Sequence, residues 1–300
     1  MTYLLALRAA VPPICSEISS AEFDAIKCAR AVLQAALRTE EKFDLAIDNY
    51  AEYEREMMNL AIHKMLHQDF QWSTGADGRY LIARRLANVL TVSRSYTDQL
   101  SQEGRIILGQ DAKSAISLVF SQQYERSIGY RVMVALRNHL QHCGFPIDLS
   151  FPFAWEGEGR TSMRIGITPT LNLRELDVGT FKSTVYKELL AIEKDRKKSN
   201  INLLLREYIE GLNRVHIYFR ESIAVPVESA RSEFERVIQF GRERLGPNIG
   251  SLAAIALGDD GSETEVLGIF GEISDRRALL VRRNPALPTL SRWYVTGEAS

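Results

Sequence analysis

The stretch Ala135–Pro146, ALRNHLQHCGFP, is where the chain changes character. Gly144 stands where a left-handed cap glycine belongs, and Pro146 cannot continue a helix. The segment therefore reads as the last two turns of a helix and its stop signal. The residues before it keep a 3.6-residue apolar period, and those after it mix alternation with helix. The division predicts a mainly α chain: an antiparallel helical bundle over 1–145, then a smaller α+β part over 146–300.

Working back from Ala135, the fourth bundle helix is predicted from about Asp111, after breaks at Gly104 and Gly109. A third runs from about Tyr80 to Gln102, with Leu86, Val89, Leu90 and Tyr96 as its inner stripe. STGADG, 73–78, reads as a turn. Thr39 is expected to cap a second helix reaching about Phe70, through Phe43, Ile47, Tyr50, Met57 and Leu60. Ser19 or Ser20 caps the first, to about Arg38, with Phe23, Ile26, Ala29 or Arg30, and Leu33 facing inward. Long helices with short links are a bundle pattern.

Working forward, SMRIGITPTLNL alternates and reads as strand or hairpin. Helical patterning returns at about 180–200, continues to Glu221, and recurs over about 227–245 before Gly246-Pro247. SLAAIAL and TEVLGIF read as two strands joined across Asp-Asp-Gly. ALLV, between Arg276-Arg277 and Arg282-Arg283, reads as a charge-flanked strand.

Composition narrows the classes. The 300 residues are 45% hydrophobic and 25% charged, an ordinary globular balance, and the net charge of -1 announces no global field for nucleic acid or membrane. No apolar run reaches about 18 residues, and MTYLLALRAAVPP has no basic residue before its short apolar stretch, so neither a span nor a signal peptide is expected. Three cysteines without metal spacing read as free thiols in a reducing, cytoplasmic setting. No Walker loop, GxSxG, dinucleotide fingerprint or CxxC is present.

The chemistry concentrates in the opening stretch. Asn138 and His142, four apart, share a helix face. Arg137 is five before His142, about 140° round the axis, within reach of a long guanidinium. A histidine in a last helical turn sits at the carbonyl end of the macrodipole, which favours its imidazolium. Imidazole moves protons near neutral pH, and arginine presents a fork matched to phosphate oxygens. These are the parts for cutting RNA without a metal, because the ribose 2′-hydroxyl is an internal nucleophile.

Arg137-Asn138, separated from His142 by three residues, resembles the motif of HEPN-domain ribonucleases. Over roughly 20–146 the resemblance implies a helical bundle and a homodimer through the motif helix. Two motifs would then form one composite site that leaves a 2′,3′-cyclic phosphate and a 5′-hydroxyl. Arg137, Asn138 and His142 are then the catalytic set, with His139 and Arg131 as candidate substrate contacts and no metal or cofactor. The family implies RNA as substrate, a toxin or anti-phage role, and an antitoxin or regulatory protein as partner. The competing reading is a helical adaptor or sensor that binds a protein or nucleotide without catalysis.

Lesser signals are His63 and His67, which share a helix face but lack the metalloprotease glutamate, with Asp69 the nearest further ligand. Arg94, Tyr96 and Asp98 read as a polar rim with one packed tyrosine, and Glu193–Lys198 as a solvated helix end.

Overall fold

The first apolar run, Thr2–Leu7, is a strand (β1), and Ile14–Ile18 (β2) pairs with it antiparallel. Next come the helices Ser20–His67 (α1), Trp72–Leu108 (α2), Ala112–Arg126 (α3) and Ile128–His142 (α4). Four short strands succeed them: Ile147–Ser150 (β3), Phe153–Glu156 (β4), Ser162–Ile165 (β5) and Thr168–Leu171 (β6). Then come Ser183–Ile192 (α5), Ile201–Ser222 (α6), Ala224–Leu245 (α7), the strands Leu252–Leu257 (β7) and Glu263–Gly268 (β8), and Glu272–Arg283 (α8). This computed structural model describes residues 1–8, 14–67, 72–156, 158–159, 162–176, 181–192, 199–247 and 250–292. The chain is mainly helical with small sheets, as expected.

Several elements differ from expectation for identifiable reasons. The first two expected helices are one. Thr39 is buried within α1 and its hydroxyl donates to the Ala35 carbonyl at 3.0 Å, so it is satisfied inside the helix and ends nothing. The cap lies earlier, at Ser19. Its amide and hydroxyl both reach the Glu22 carboxylate at 2.8 Å while the Glu22 amide reaches Ser19 Oγ at 3.2 Å, a reciprocal capping box. That carboxylate's pKa is lowered, chiefly by the Ser19 backbone hydrogen bond. STGADG lies inside α2, where a β-carbon on Gly78 would stand 3.3 Å from Leu149 and 3.5 Å from Leu60: close packing overrides turn propensity. The expected fourth helix breaks at Ser127 into α3 and α4. ALLV lies in α8, whose acidic first turn (Glu272, Asp275) and basic last turn (Arg282, Arg283) match a helix macrodipole. Phe70, Thr180 and the Glu193–Lys198 run lie outside the described residues.

Two compact units result, and neither is continuous in sequence. One comprises 1–41, 98–116 and 218–285, the other 42–97, 117–217 and 286–300. Each unit takes residues from both sides of position 145. The first unit holds a four-stranded antiparallel sheet in the order β2-β1-β7-β8. β1 is central, and its consecutive residues Leu5, Ala6 and Leu7 are all buried rather than alternating. Ala6, Ala253 and Ile255 cluster there with Leu257 and Val266, and Phe23 of α1 packs near Tyr3 at 4.9 Å. The expected 252–268 hairpin is present; its partner β1, some 250 residues earlier, is what periodicity does not reveal.

In the second unit the expected inner stripe, Leu86, Val89, Leu90 and Tyr96, is buried with Phe43, Tyr53, Leu205, Ile209 and Leu212. Arg206 of α6 grips Glu54 of α1 through Nε at 2.8 Å and Nη2 at 2.9 Å. β3 to β6 form one nested ribbon: β3 pairs with β6 at its base, and β4 with β5 farther out.

Candidate functional site at the end of the fourth helix

Ser127 sets where α4 begins. Its extended backbone (φ −129°, ψ 127°) stops α3, and its Oγ accepts the Tyr130 amide at 3.2 Å. The same hydroxyl donates to Glu207 of α6 at 2.6 Å, and that carboxylate also accepts the Gly129 amide at 3.0 Å. A carboxylate there satisfies an orphan donor and complements the positive end of the helix dipole. The approach of α6 is close. A β-carbon on Gly129 would fall 2.6 Å from the Leu204 carbonyl, and one on Gly211 would fall 2.6 Å from the Tyr130 ring.

The inner face of α4 is Tyr130, Val132, Met133, Ala135, Leu136 and His139. Tyr130 packs 5.0 Å from Tyr208, and burial above all raises its phenol pKa. His139 belongs to this face. It is buried edge-on to Phe181, with ring centroids 6.4 Å apart, so a direct substrate contact is not what its position offers. Arg131 is also occupied. Its Nε and Nη2 bind Glu188 of α5 at 3.0 and 2.7 Å, and its Nη1 binds the Tyr124 and Glu125 carbonyls at 2.8 Å. It ties α4 to α5 and closes the end of α3.

The other three residues face outward. Asn138 and His142 are exposed and Arg137 is half-buried, with Arg137 Nη1 donating to Asn138 Oδ1 at 3.2 Å. One turn of helix thus separates a packing histidine from an exposed one. The helix ends with Cys143 extended (φ −127°), its amide bonded to the His139 carbonyl at 2.8 Å, so the left-handed glycine cap expected at Gly144 is not used. Pro146 and β3 come directly after, which leaves His142 on the rim where helix passes into ribbon.

Tyr96 is buried and shares a 2.9 Å hydrogen bond with Nδ1 of His216, whose ring stacks on Phe43 at 3.8 Å. This core histidine was not legible as such, because it lies in an ordinary helical pattern 120 residues from its tyrosine. His63 and His67 are exposed on α1 with ring centroids 4.5 Å apart, and no group of three metal-type ligands gathers among the described residues. Asp69 lies outside the described residues. No described helix is long and apolar enough to cross a membrane. No family model, curated protein or solved structure matches the chain.

Proposed function

We propose that this chain is a metal-independent endoribonuclease of HEPN type, acting as a toxin or in anti-phage defence. The observation that carries the reading is that Asn138 and His142 are exposed at the end of α4 and the half-buried Arg137 is hydrogen-bonded to Asn138. An arginine, an amide and an imidazole on one rim can address one phosphodiester.

The chemistry rests on those groups. The 2′-hydroxyl attacks the adjacent phosphorus, the bond to the 5′-oxygen breaks, and the products carry a 2′,3′-cyclic phosphate and a 5′-hydroxyl. Neutral His142 takes the 2′-hydroxyl proton; its protonated form gives one to the departing 5′-oxygen. Arg137 offsets the charge growing on the non-bridging oxygens. Asn138 holds one nitrogen of that guanidinium, which sets the direction of its remaining donors. With two copies of the motif in one composite site, base and acid come from different chains.

The test is cleavage of several RNA classes in excess EDTA by wild type and His142→Ala, with product ends identified. Cyclic phosphate ends from wild type, reduced by about 10²–10⁴-fold in the variant, are expected. Because His142 is exposed, the variant keeps its helical circular dichroism. Equal cleavage by both would move the activity elsewhere. A folded wild type that binds a protein or nucleotide but cuts nothing would favour the adaptor reading.

A further inference from the structure

The chain has five histidines, and the fold puts them in different settings. His139 and His216 are buried, and His142 stands on the rim at the end of α4. His63 and His67 remain, both exposed, one turn apart in the last turns of α1. Their rings lie side by side, with centroids 4.5 Å apart and planes inclined by 49°. The proposed cleavage makes no use of them.

This spacing is what a chelate requires. Residues four apart on a helix stand one above the other on one face. Two imidazole nitrogens bound to one tetrahedral ion at about 2.0–2.1 Å are themselves about 3.3 Å apart. Each nitrogen sits on the edge of its ring, so rings with centroids 4.5 Å apart reach that separation by side-chain rotation alone. The helix has already fixed both backbones, which lowers the ordering cost of binding. The intervening cation is turned aside. Lys64 lies about 100° round the axis from His63, is buried, and holds its ammonium 4.5 Å over the Phe151 ring.

The donors select the ion. Neutral imidazole suits copper, nickel and zinc, whereas calcium and magnesium want oxygen ligands. Among the described residues no cluster of three His, Cys, Asp or Glu side chains forms, so the pair supplies two ligands and other molecules supply the rest. Such a site is open and exchangeable, unlike a closed structural zinc site.

We propose that His63 and His67 form a two-histidine site for a late first-row divalent ion, Cu(II) ahead of Ni(II) and Zn(II). The bound ion joins successive turns and so staples the end of α1. The proposal does not rest on the nuclease reading, whose test is run in excess EDTA.

Titration calorimetry of the full chain with the chlorides of Cu(II), Ni(II) and Zn(II) tests it. Thiols are first blocked with iodoacetamide, because Cys15 and Cys28 are exposed. One ion per chain is expected, bound most tightly for copper. His63→Gln and His67→Gln should each weaken binding by at least ~10-fold, since loss of an outer-shell partner alone costs about 10–100-fold. Both side chains are exposed, so both variants should keep their helical circular dichroism. His142→Gln should leave the affinity unchanged. Saturating Cu(II) should also slow amide exchange over residues 64–67 in wild type and in neither glutamine variant. Absence of saturable binding would overturn the proposal, as would an affinity that survives both substitutions or falls only in His142→Gln. Binding with unchanged exchange would mean that one imidazole alone holds the ion, and would overturn the chelate.

Discussion

Glu40 shows how much one buried carboxylate can decide. It is 1% exposed, binds Arg220 through Nε at 2.9 Å and Nη2 at 2.6 Å, and lies 3.7 Å from Arg277. The two cations are unequal. Arg220 makes a bidentate pair and also donates to the Asn284 carbonyl at 2.6 Å. The guanidinium of Arg277 has its pKa lowered, first by burial, with Glu40 opposing that and Arg220 adding to it. Glu40→Gln should therefore cost about 3–5 kcal/mol, because it leaves two partly buried cations facing each other. Arg277→Leu should cost under about 1 kcal/mol, because it removes the weaker partner and its repulsion on Arg220. Urea midpoints of the two variants check this, and equal losses would mean that Arg277 matters as much as Glu40. The same scale explains the candidate site. The order Arg137, Asn138, His139, His142 is plain in sequence, and helix geometry separates His139 from the rest. The roles of Arg131 are not plain: Glu188 and two carbonyls claim it, and no local spacing reveals that.

Among elements, α4 shows what periodicity captures and what it leaves out. Its helical character was legible, and so was its end near His142. Its beginning was not, because Ser127 sits inside an unbroken helical pattern and its second partner, Glu207, lies 80 residues later. STGADG misled in the same way, since Gly78 is a packing residue whose partners lie on other elements. The α4–α6 contact permits a direct test. In Gly129→Ala the new methyl would stand 2.6 Å from the Leu204 carbonyl and 2.7 Å from Glu207 Cβ, so backbone must move. A loss of about 1–3 kcal/mol is expected from this overpacking, read as a lower urea midpoint. RNA cleavage, where present, should fall as well, because α4 carries Arg137 and His142. An unchanged midpoint would show that α4 can shift on α6 by a few tenths of an ångström without penalty.

For the whole molecule the decisive contact is β1 with β7. Thr2 pairs with Leu257 and Leu7 with Leu252, so the sheet exists only when the two ends of the chain meet. A sequence read along its length favours division where texture changes, at residue 145, because periodicity is local and strand pairing is not. The helical content was legible for the same reason that the topology was not. A fragment comprising 146–300 therefore tests the architecture. It keeps β7, β8 and α7 but lacks β1, the central strand on which α7 packs. It also lacks Phe23, Ile26 and Leu33, the inner face at the start of α1. The remaining β7–β8 hairpin has only two strands, which are marginal in water. The fragment should retain some helical circular dichroism but unfold without a cooperative urea transition, with β7 amides exchanging freely. In the full chain, Leu5→Ala should cost about 2–5 kcal/mol, because Leu5 is fully buried opposite Ala254, and it should speed exchange in β7. A fragment that unfolds cooperatively on its own would restore the boundary at 145 and reduce the β1–β7 ladder to an accessory contact.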